Sequence, residues 1–400
     1  MPNLLDYIEW RGDLTFDQAP LNEVDNLIFC LLSYVDLDGI VPGIKGLILN
    51  DKQVIHPEQK RMTLRSAAAE YFLTRPTCSR HPLGFIIPAD ILTLFRHAAQ
   101  APRYREVELS GYVNRISEKR ACQFSALTFH LTGDVVFVAF RGTDDTIAGW
   151  KEDLNLSVMD EIPAQRMAAD YLNDLDFTPD TLLTVGGHSK GGNLAVWGVL
   201  HANESVRQKL QAVYSNDGPG FSEGTTRSET YQSLRPRIHL LLPEDSLVGL
   251  LLEQEETYRV VKSSRKGLCQ HDGLSWEVLG GSFLTAEKLS PIGLRHKNDL
   301  CGRITALPVS QRRECISLLF DLLEATGAKT LTQLYRNKGH VVLSFMKAYR
   351  ALPVSDRNAL SAFRDVLFTN HADTTPSVGP SKTIRQKGRV CIRLFPLLKP

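Results

Sequence analysis

Absences narrow this sequence first. The seven cysteines (Cys30, Cys78, Cys122, Cys269, Cys301, Cys315, Cys391) form no C-x-x-C pair. Their odd number and scattered spacing argue against a disulfide framework and against a zinc site, so no metal is expected. Reduced thiols in a cytoplasmic protein are the simpler reading. No apolar run approaches the ~20 residues of a membrane span. The opening MPNLLDYIEWRGD has no basic segment leading into an apolar one, so no secretory leader is expected. Neither sign of charge dominates: 46 Lys and Arg against 45 Asp and Glu leave a net charge of +1, with no overall field to recruit nucleic acid. No repeat recurs at solenoid periods. The 400 residues are 43% apolar and 23% charged, the balance of a soluble globular protein with one large or two ordinary domains and a sizeable core.

The most informative stretch runs from Leu182 to Val199, LLTVGGHSKGGNLAVWGV. A β-branched apolar run enters a Gly-rich turn and leaves into a helix-compatible segment. At the apex stands Ser189, inside Gly187-His188-Ser189-Lys190-Gly191, a G-x-S-x-G pattern in a strand–turn–helix setting. Such a turn holds the serine in a strained conformation that lifts its hydroxyl clear of the sheet, and the glycines let the chains pass without Cβ clashes. The Lys190 amide then points where an oxyanion would form, at the positive end of the next helix. The bland counterpart is a tight turn in which Ser189 only caps that helix.

Along the chain, residues 1–102 read as a mostly helical region packed on the core. Asn26–Leu32 is a buried segment, and Ser66–Phe72 and Ala89–Ala99 are short amphipathic helices. His56, His81 and His97 are isolated, as surface or satisfied histidines are. From 103 to 289 the pattern is that of an α/β core. Glu106–Ser117, Gln123–Leu131 and Val135–Arg141 predict a β-meander. A helix with Trp150 and Asp153 follows, then an amphipathic helix over Ala164–Leu175. Strands are expected at Leu182, Ala212–Asn216, Ile238–Leu242 and Thr257–Ser263, with a polar loop or flap over Ser222–Arg235. Strands alternating with helices imply a mainly parallel sheet covered on both faces. Residues 290–372 read as a helical appendage, with helices over Ser310–Ala325, Thr330–Ala351 and Ser355–Phe368. Residues 373–400 form a basic tail, expected to be disordered, whose Leu394, Phe395, Leu397 and Leu398 leave room for weak contact with an anionic membrane surface.

A serine nucleophile needs a base and an acid to orient it, and behind this kind of elbow they follow in the order Ser, Asp or Glu, His. Four histidines follow both Ser189 and a plausible acid in a useful place: His271, His296, His340 and His371. The last three fall in the appendage or tail. His271 lies in a loop soon after a predicted strand and is the candidate base. Asp245, after the Ile238 strand, is favoured as the acid over Asp217, after the Ala212 strand; both stand at carboxyl ends of strands, where open α/β sheets place ligands. Each has a duller role open to it, Asp217 in an Asp-Gly-Pro-Gly turn and Asp245 capping a Ser246–Glu253 helix. Gly142-Thr143, after the third predicted strand, is placed to supply the second oxyanion donor. His188 is expected to point away from the nucleophile, into packing or toward substrate.

At these residues the chain resembles the α/β-hydrolase superfamily, and within it the class 3 (fungal-type) lipases. Phe140-Arg141-Gly142-Thr143 with Trp150 and Asp153 looks like their third-strand motif, whose Thr or Ser helps build the oxyanion hole. Gly187-His188-Ser189-Lys190-Gly191-Gly192 is similar to their G-H-S-x-G-G elbow. Asp245 falls where their triad aspartate does, and His271 with Gly273, Glu277 and Val278 looks like their histidine segment. The likeness covers about Glu106–Val278 and departs at three points. Lys190 replaces the usual Leu or Met, which predicts a more polar cleft. Ser-Asn-Asp-Gly-Pro-Gly-Phe replaces a Gly-Ser-Pro turn. The N-terminal hundred residues and the C-terminal helices have no counterpart. Together these features look like a bacterial lipase-like family of unknown function.

The resemblance implies an α/β-hydrolase-like esterase. Ser189 would be the nucleophile, His271 the base, Asp245 (or Asp217) the acid, and Lys190 and Thr143 the oxyanion hole, with no metal and no cofactor. Lys190's charge points to a polar, anionic or small ester. The same triad also serves a thioesterase, amidase or acyltransferase, and a non-catalytic binding protein could retain the scaffold. Substrate and oligomeric state are open.

Overall fold

The computed structural model describes residues 1–44, 61–75, 90–252, 258–302 and 306–368. His56, His81, His371 and the basic tail of 373–400 lie outside the described residues. Eleven strands are present among them: β1 (Met62–Thr63), β2 (Glu108–Ser117), β3 (Cys122–His130), β4 (Val135–Phe140), β5 (Leu182–His188), β6 (Leu210–Asn216), β7 (Ile238–Pro243), β8 (Arg259–Val261), β9 (Val278–Leu279), β10 (Ser282–Phe283) and β11 (Thr285–Ala286). Nine of them form one sheet in the order β1-β2-β3-β4-β5-β6-β7-β8-β11, and β9 pairs with β10 separately. β2, β3 and β4 make the expected antiparallel meander, and β4 through β8 pair in parallel.

Period-two alternation assigns the two faces of this sheet. Val136, Val138 and Phe140 of β4 join Phe124, Ala126, Leu183 and Val185 in one core. That core is closed by α6 (Pro163–Asn173) and α7 (Lys190–His201), which contribute Met167, Tyr171, Leu194 and Trp197. Phe137 and Ala139 turn the other way, with Leu127 and Phe129. There they meet the N-terminal helices α1 (Leu4–Arg11), α2 (Glu23–Leu32), α3 (Leu64–Thr74) and α4 (Asp90–Gln100). α2 is buried from Val24 to Leu32 because it lies between the sheet and the outer helices. Asp25, fully buried, accepts hydrogen bonds from Arg103 Nε (2.8 Å) and Tyr104 Oη (2.6 Å), which bind the end of this region to α2. The result is an α/β-hydrolase-like architecture with a lipase-like strand–elbow–helix at its centre.

Three local expectations are corrected. Ser222–Arg235 is not an open flap: it holds helices over Glu223–Thr226 and Glu229–Leu234, and Tyr231 and Leu234 enter the core. The expected Thr330–Ala351 helix breaks at Asn337 (φ −101°, ψ 35°) into Leu331–Arg336 and Lys338–Ala351. The Ser246–Glu253 helix shrinks to one 3-10 turn, Val248–Leu250. The other C-terminal helices are Val309–Glu324 and Val354–Phe368. Val309–Glu324 and Leu331–Arg336 share one small core with α5 (Ile147–Asn155) and its exit, through Ile316, Phe320, Leu331 and Leu334 against Ile147 and Val158. No described helix is long and apolar enough to cross a membrane.

Candidate active site around Ser189

Ser189 joins β5 to α7 with φ 59° and ψ −134°, a left-handed conformation that a non-glycine residue adopts only under constraint. The constraint is visible on both sides. Ser189 N–H donates to Asn216 O (2.9 Å), and Gly192 N–H donates to Ser189 O (2.9 Å). A Cβ at Gly187 would sit 2.0 Å from the Gly191 backbone, and one at Gly191 would sit 2.1 Å from Phe140 O. Only glycine therefore allows the strand, the elbow and the β4 exit to pass this closely. A Cβ at Gly142 would lie 2.9 Å from Ser189 Cβ, so the Gly142-Thr143 backbone runs directly beside the serine.

His271 ends a short 3-10 helix, Gly267–His271, and is half-buried. Its Nδ1 lies 2.6 Å from Asp217 Oδ2. The carboxylate can only accept, so Nδ1 carries the proton and Nε2 keeps a free lone pair. Asp217 follows β6, is fully buried and has φ 50°, a turn that brings its side chain back under the loop. Its Oδ1 accepts from Ser246 Oγ (2.5 Å) and Gly249 N–H (3.1 Å).

Asp245, the acid favoured from the sequence, does not face His271. Its Oδ2 accepts from Gly267 N–H (2.6 Å), its Oδ1 accepts from Ser290 Oγ, and its own N–H donates to Gln270 Oε1 (2.7 Å). Asp245 thus braces the loop that carries His271, while Asp217 holds the imidazole. The physical reason lies in the chain's path after each strand: the left-handed turn at Asp217 redirects its carboxylate, and no such turn occurs at Asp245.

The His188 side chain is buried between Tyr34 and His271. Its Nε2 lies 2.7 Å from His271 O, a carbonyl that can only accept, so Nδ1 is left to accept from Tyr34 Oη (3.1 Å). The two imidazoles lie 4.7 Å apart, centroid to centroid. Burial, then the neighbouring His271, lowers the His188 pKa to about 3, so the ring stays neutral. Beneath the elbow, Asn216 Nδ2 donates to Gly187 O (3.0 Å) and Asn26 Nδ2 donates to Asn216 Oδ1 (3.0 Å).

Thr143 is buried, and its Oγ1 stands 2.6 Å from both oxygens of Asp153. Its hydroxyl proton is thereby committed to Asp153, leaving the Thr143 amide as the group free in chemistry to serve an oxyanion. The Lys190 side chain does not enter the cleft, contrary to the expectation of a more polar site. It is 1% exposed and runs the other way, with Nζ 2.8 Å from Glu152 Oε2, 2.9 Å from Gln123 Oε1 and 3.0 Å from Gln123 O. Burial works against this ammonium, but Glu152 and Asp153 outweigh it and raise its pKa. The inference of an anionic or polar ester from a lysine in the cleft therefore lapses. Sequence reasoning also passed over Tyr34, Asn26, Glu152, Gln123 and Ser246, none of which carries a local motif. Among the described residues no three His, Cys, Asp or Glu gather as a metal site.

The sheet and the elbow are those of an α/β-hydrolase-like fold. The chain belongs to the Mbeg1-like family, whose family model matches residues 98–321 and so takes in Thr143, Ser189, Asp217, Asp245 and His271. No curated protein matches it. Among solved structures it is similar to that of M37 lipase, at 15% identity and a TM-score of 0.30 over 46% of this chain. The match spans 66% of that lipase, just under two thirds of its length, and at this likeness carries no argument about activity.

Proposed function

We propose that the chain is a serine hydrolase that cleaves a carboxylic ester through an acyl-enzyme. The observation that carries this is the 2.6 Å His271–Asp217 pair, tied to the elbow by the 2.7 Å His188–His271 contact, together with a serine held at φ 59°. Ser189 Oγ attacks the ester carbonyl, and His271 Nε2 takes its proton. Asp217 keeps the imidazole in the Nδ1–H form and stabilises the imidazolium. The amides of Lys190 and Thr143 receive the oxyanion. Collapse of the tetrahedral intermediate expels the alcohol, to which His271 returns the proton. Water, deprotonated by His271, then releases the acid and frees Ser189. Asp217 takes the acid's place in this scheme, and Asp245 holds the loop.

The test is hydrolysis of p-nitrophenyl esters from acetate to palmitate by wild type beside Ser189→Ala. The expected result is turnover in the wild type and a loss of at least about 10⁴-fold in the variant. Turnover that survives the substitution contradicts the proposal. The chain-length optimum sizes the acyl pocket.

A further inference from the structure

The residue after the nucleophile contributes more than its amide. Lys190 Nζ sits between two carboxylates of one helix, 2.8 Å from Glu152 and 3.7 Å from Asp153. Asp153 is the residue that holds the Thr143 hydroxyl at 2.6 Å. Glu152 is anchored independently of the lysine, since Oε2 accepts from Gln123 N–H (2.9 Å) and Oε1 from Ala164 N–H (3.0 Å). The side chain of Lys190 thereby joins the elbow, the β3 edge and α5. The two proposed oxyanion donors, Lys190 N–H and Thr143 N–H, are linked through Lys190's own ammonium.

Stability alone is a poor reason to keep such a pair. Taking two charges out of water costs several kcal/mol per ion, and replacing a buried pair with apolar groups is often neutral or better. We infer that the Lys190 ammonium, clamped by Glu152, is a positioning group for the oxyanion hole, holding Asp153 ionised against Thr143 so that Thr143 stays beside Ser189. This rests on the ester-hydrolase reading of the site.

The electrostatics agree with the geometry. Burial pushes the Asp153 carboxyl up to about 6; Lys190 is the strongest influence pulling it back, followed by the Thr143 hydrogen bond, while Glu152 and Asp144 push it up. Tyr34 from the N-terminal region also feels Asp153, while Gln123 and Cys122 from β3 face Lys190 and Glu152. Asp144 is itself paired with Arg141, at 3.0 Å. On the outer side of α5, Lys151 pairs with Glu324 of the C-terminal helices at 3.1 Å. Lys190 is thus the one cation among these groups that lies against Asp153 itself.

The experiment uses the full chain and p-nitrophenyl acetate. K190M/E152Q removes both charges and strands neither. The expected result is a kcat about 10- to 100-fold lower, short of the ~10²–10³ lost with a whole oxyanion donor, with KM within about twofold, as for an interaction made only in the transition state. The part of the acid limb of kcat that Asp153 sets, apart from that of the His271 base, moves to higher pH, because Asp153 loses more from Lys190 than it gains from losing Glu152. In Asp153→Asn that limb no longer responds to K190M/E152Q. Should K190M/E152Q fail to fold, Glu152→Gln alone reads the same linkage with opposite sign: the limb moves to lower pH, and an unmoved limb overturns the inference. A folded K190M/E152Q protein with wild-type kcat and limb also overturns it. A wild type inert toward esters and unlabelled by fluorophosphonate contradicts the hydrolase reading instead, so the two failures are distinct.

Discussion

Strands β6 and β7 lie side by side, and each hands the chain on near an aspartate. Asp217 leaves β6 through a left-handed turn (φ 50°), ends fully buried, and meets His271. Asp245 leaves β7 without one and meets the Gly267 amide, Gln270 and Ser290. Both are buried, hydrogen-bonded carboxylates just past the carboxyl ends of their strands. Their surroundings differ in one respect that matters chemically. One carboxylate orients a ring with a free lone pair, and the other ties a loop to itself. Position after a strand nominates two carboxylates, and the left-handed turn is what brings one of them to His271.

That contrast is sharpened by substitution at each member. Asp217→Asn should lower kcat by about 10⁴-fold, because an amide cannot hold the Nδ1–H form as a carboxylate does; steady-state hydrolysis of the best p-nitrophenyl ester checks it. Asp245→Ala should lower kcat by no more than about tenfold. Its larger effect should be on stability, a loss of about 2 kcal/mol in urea unfolding, since it removes hydrogen bonds to a buried charged acceptor. If the two variants trade places, with Asp245 the one that silences hydrolysis, the assignment of acid and brace is wrong.

The smallest effect concerns the histidine that packs, tilted, against His271. His188 has an ordinary value of 6.5 lowered to about 3 in the folded chain. The unfolded state then binds the extra proton first, so stability falls as pH drops from about 6.5 toward 3 and is flat above that window. His188→Asn should reduce the pH dependence of the urea midpoint within it and leave it unchanged above. A midpoint whose slope is the same in both proteins contradicts a neutral, buried His188.

Legibility in the sequence followed the range of the interactions. The elbow was readable because its demands are local: glycines two before and two after Ser189, a β-branched run ahead and a helix behind. The meander and the parallel strands were readable for the same reason, since alternation along β4 reports its two faces directly. Partners far apart in the chain were not readable. Tyr34 reaches His188 across 154 positions, and Asn26 reaches Asn216 across 190. Lys190 was misread for this reason too: the residue type implied a charged cleft, and only Glu152, 38 positions away, turns it inward.

The two flanking regions show the same division. The N-terminal helices carry no catalytic spacing, yet they line the main core and reach the elbow through Asn26 and Tyr34. The C-terminal helices, as regular in sequence, build small cores of their own. They meet the sheet-bearing part at the two ends of α5, where Thr332 N–H donates to Asp145 Oδ2 at 3.2 Å and Arg312 Nη1 donates to Ser157 O at 2.6 Å.

The most direct measurement is fluorophosphonate labelling of the purified full chain at neutral pH, with the modified peptide located by mass. An activated serine displaces the fluoride and forms a stable phosphonate ester; an ordinary capping serine does not. The account predicts one adduct per chain, on Ser189, formed far more slowly in Asp217→Asn. An unlabelled wild type, or an adduct formed at the same rate without the Asp217 carboxylate, would contradict it.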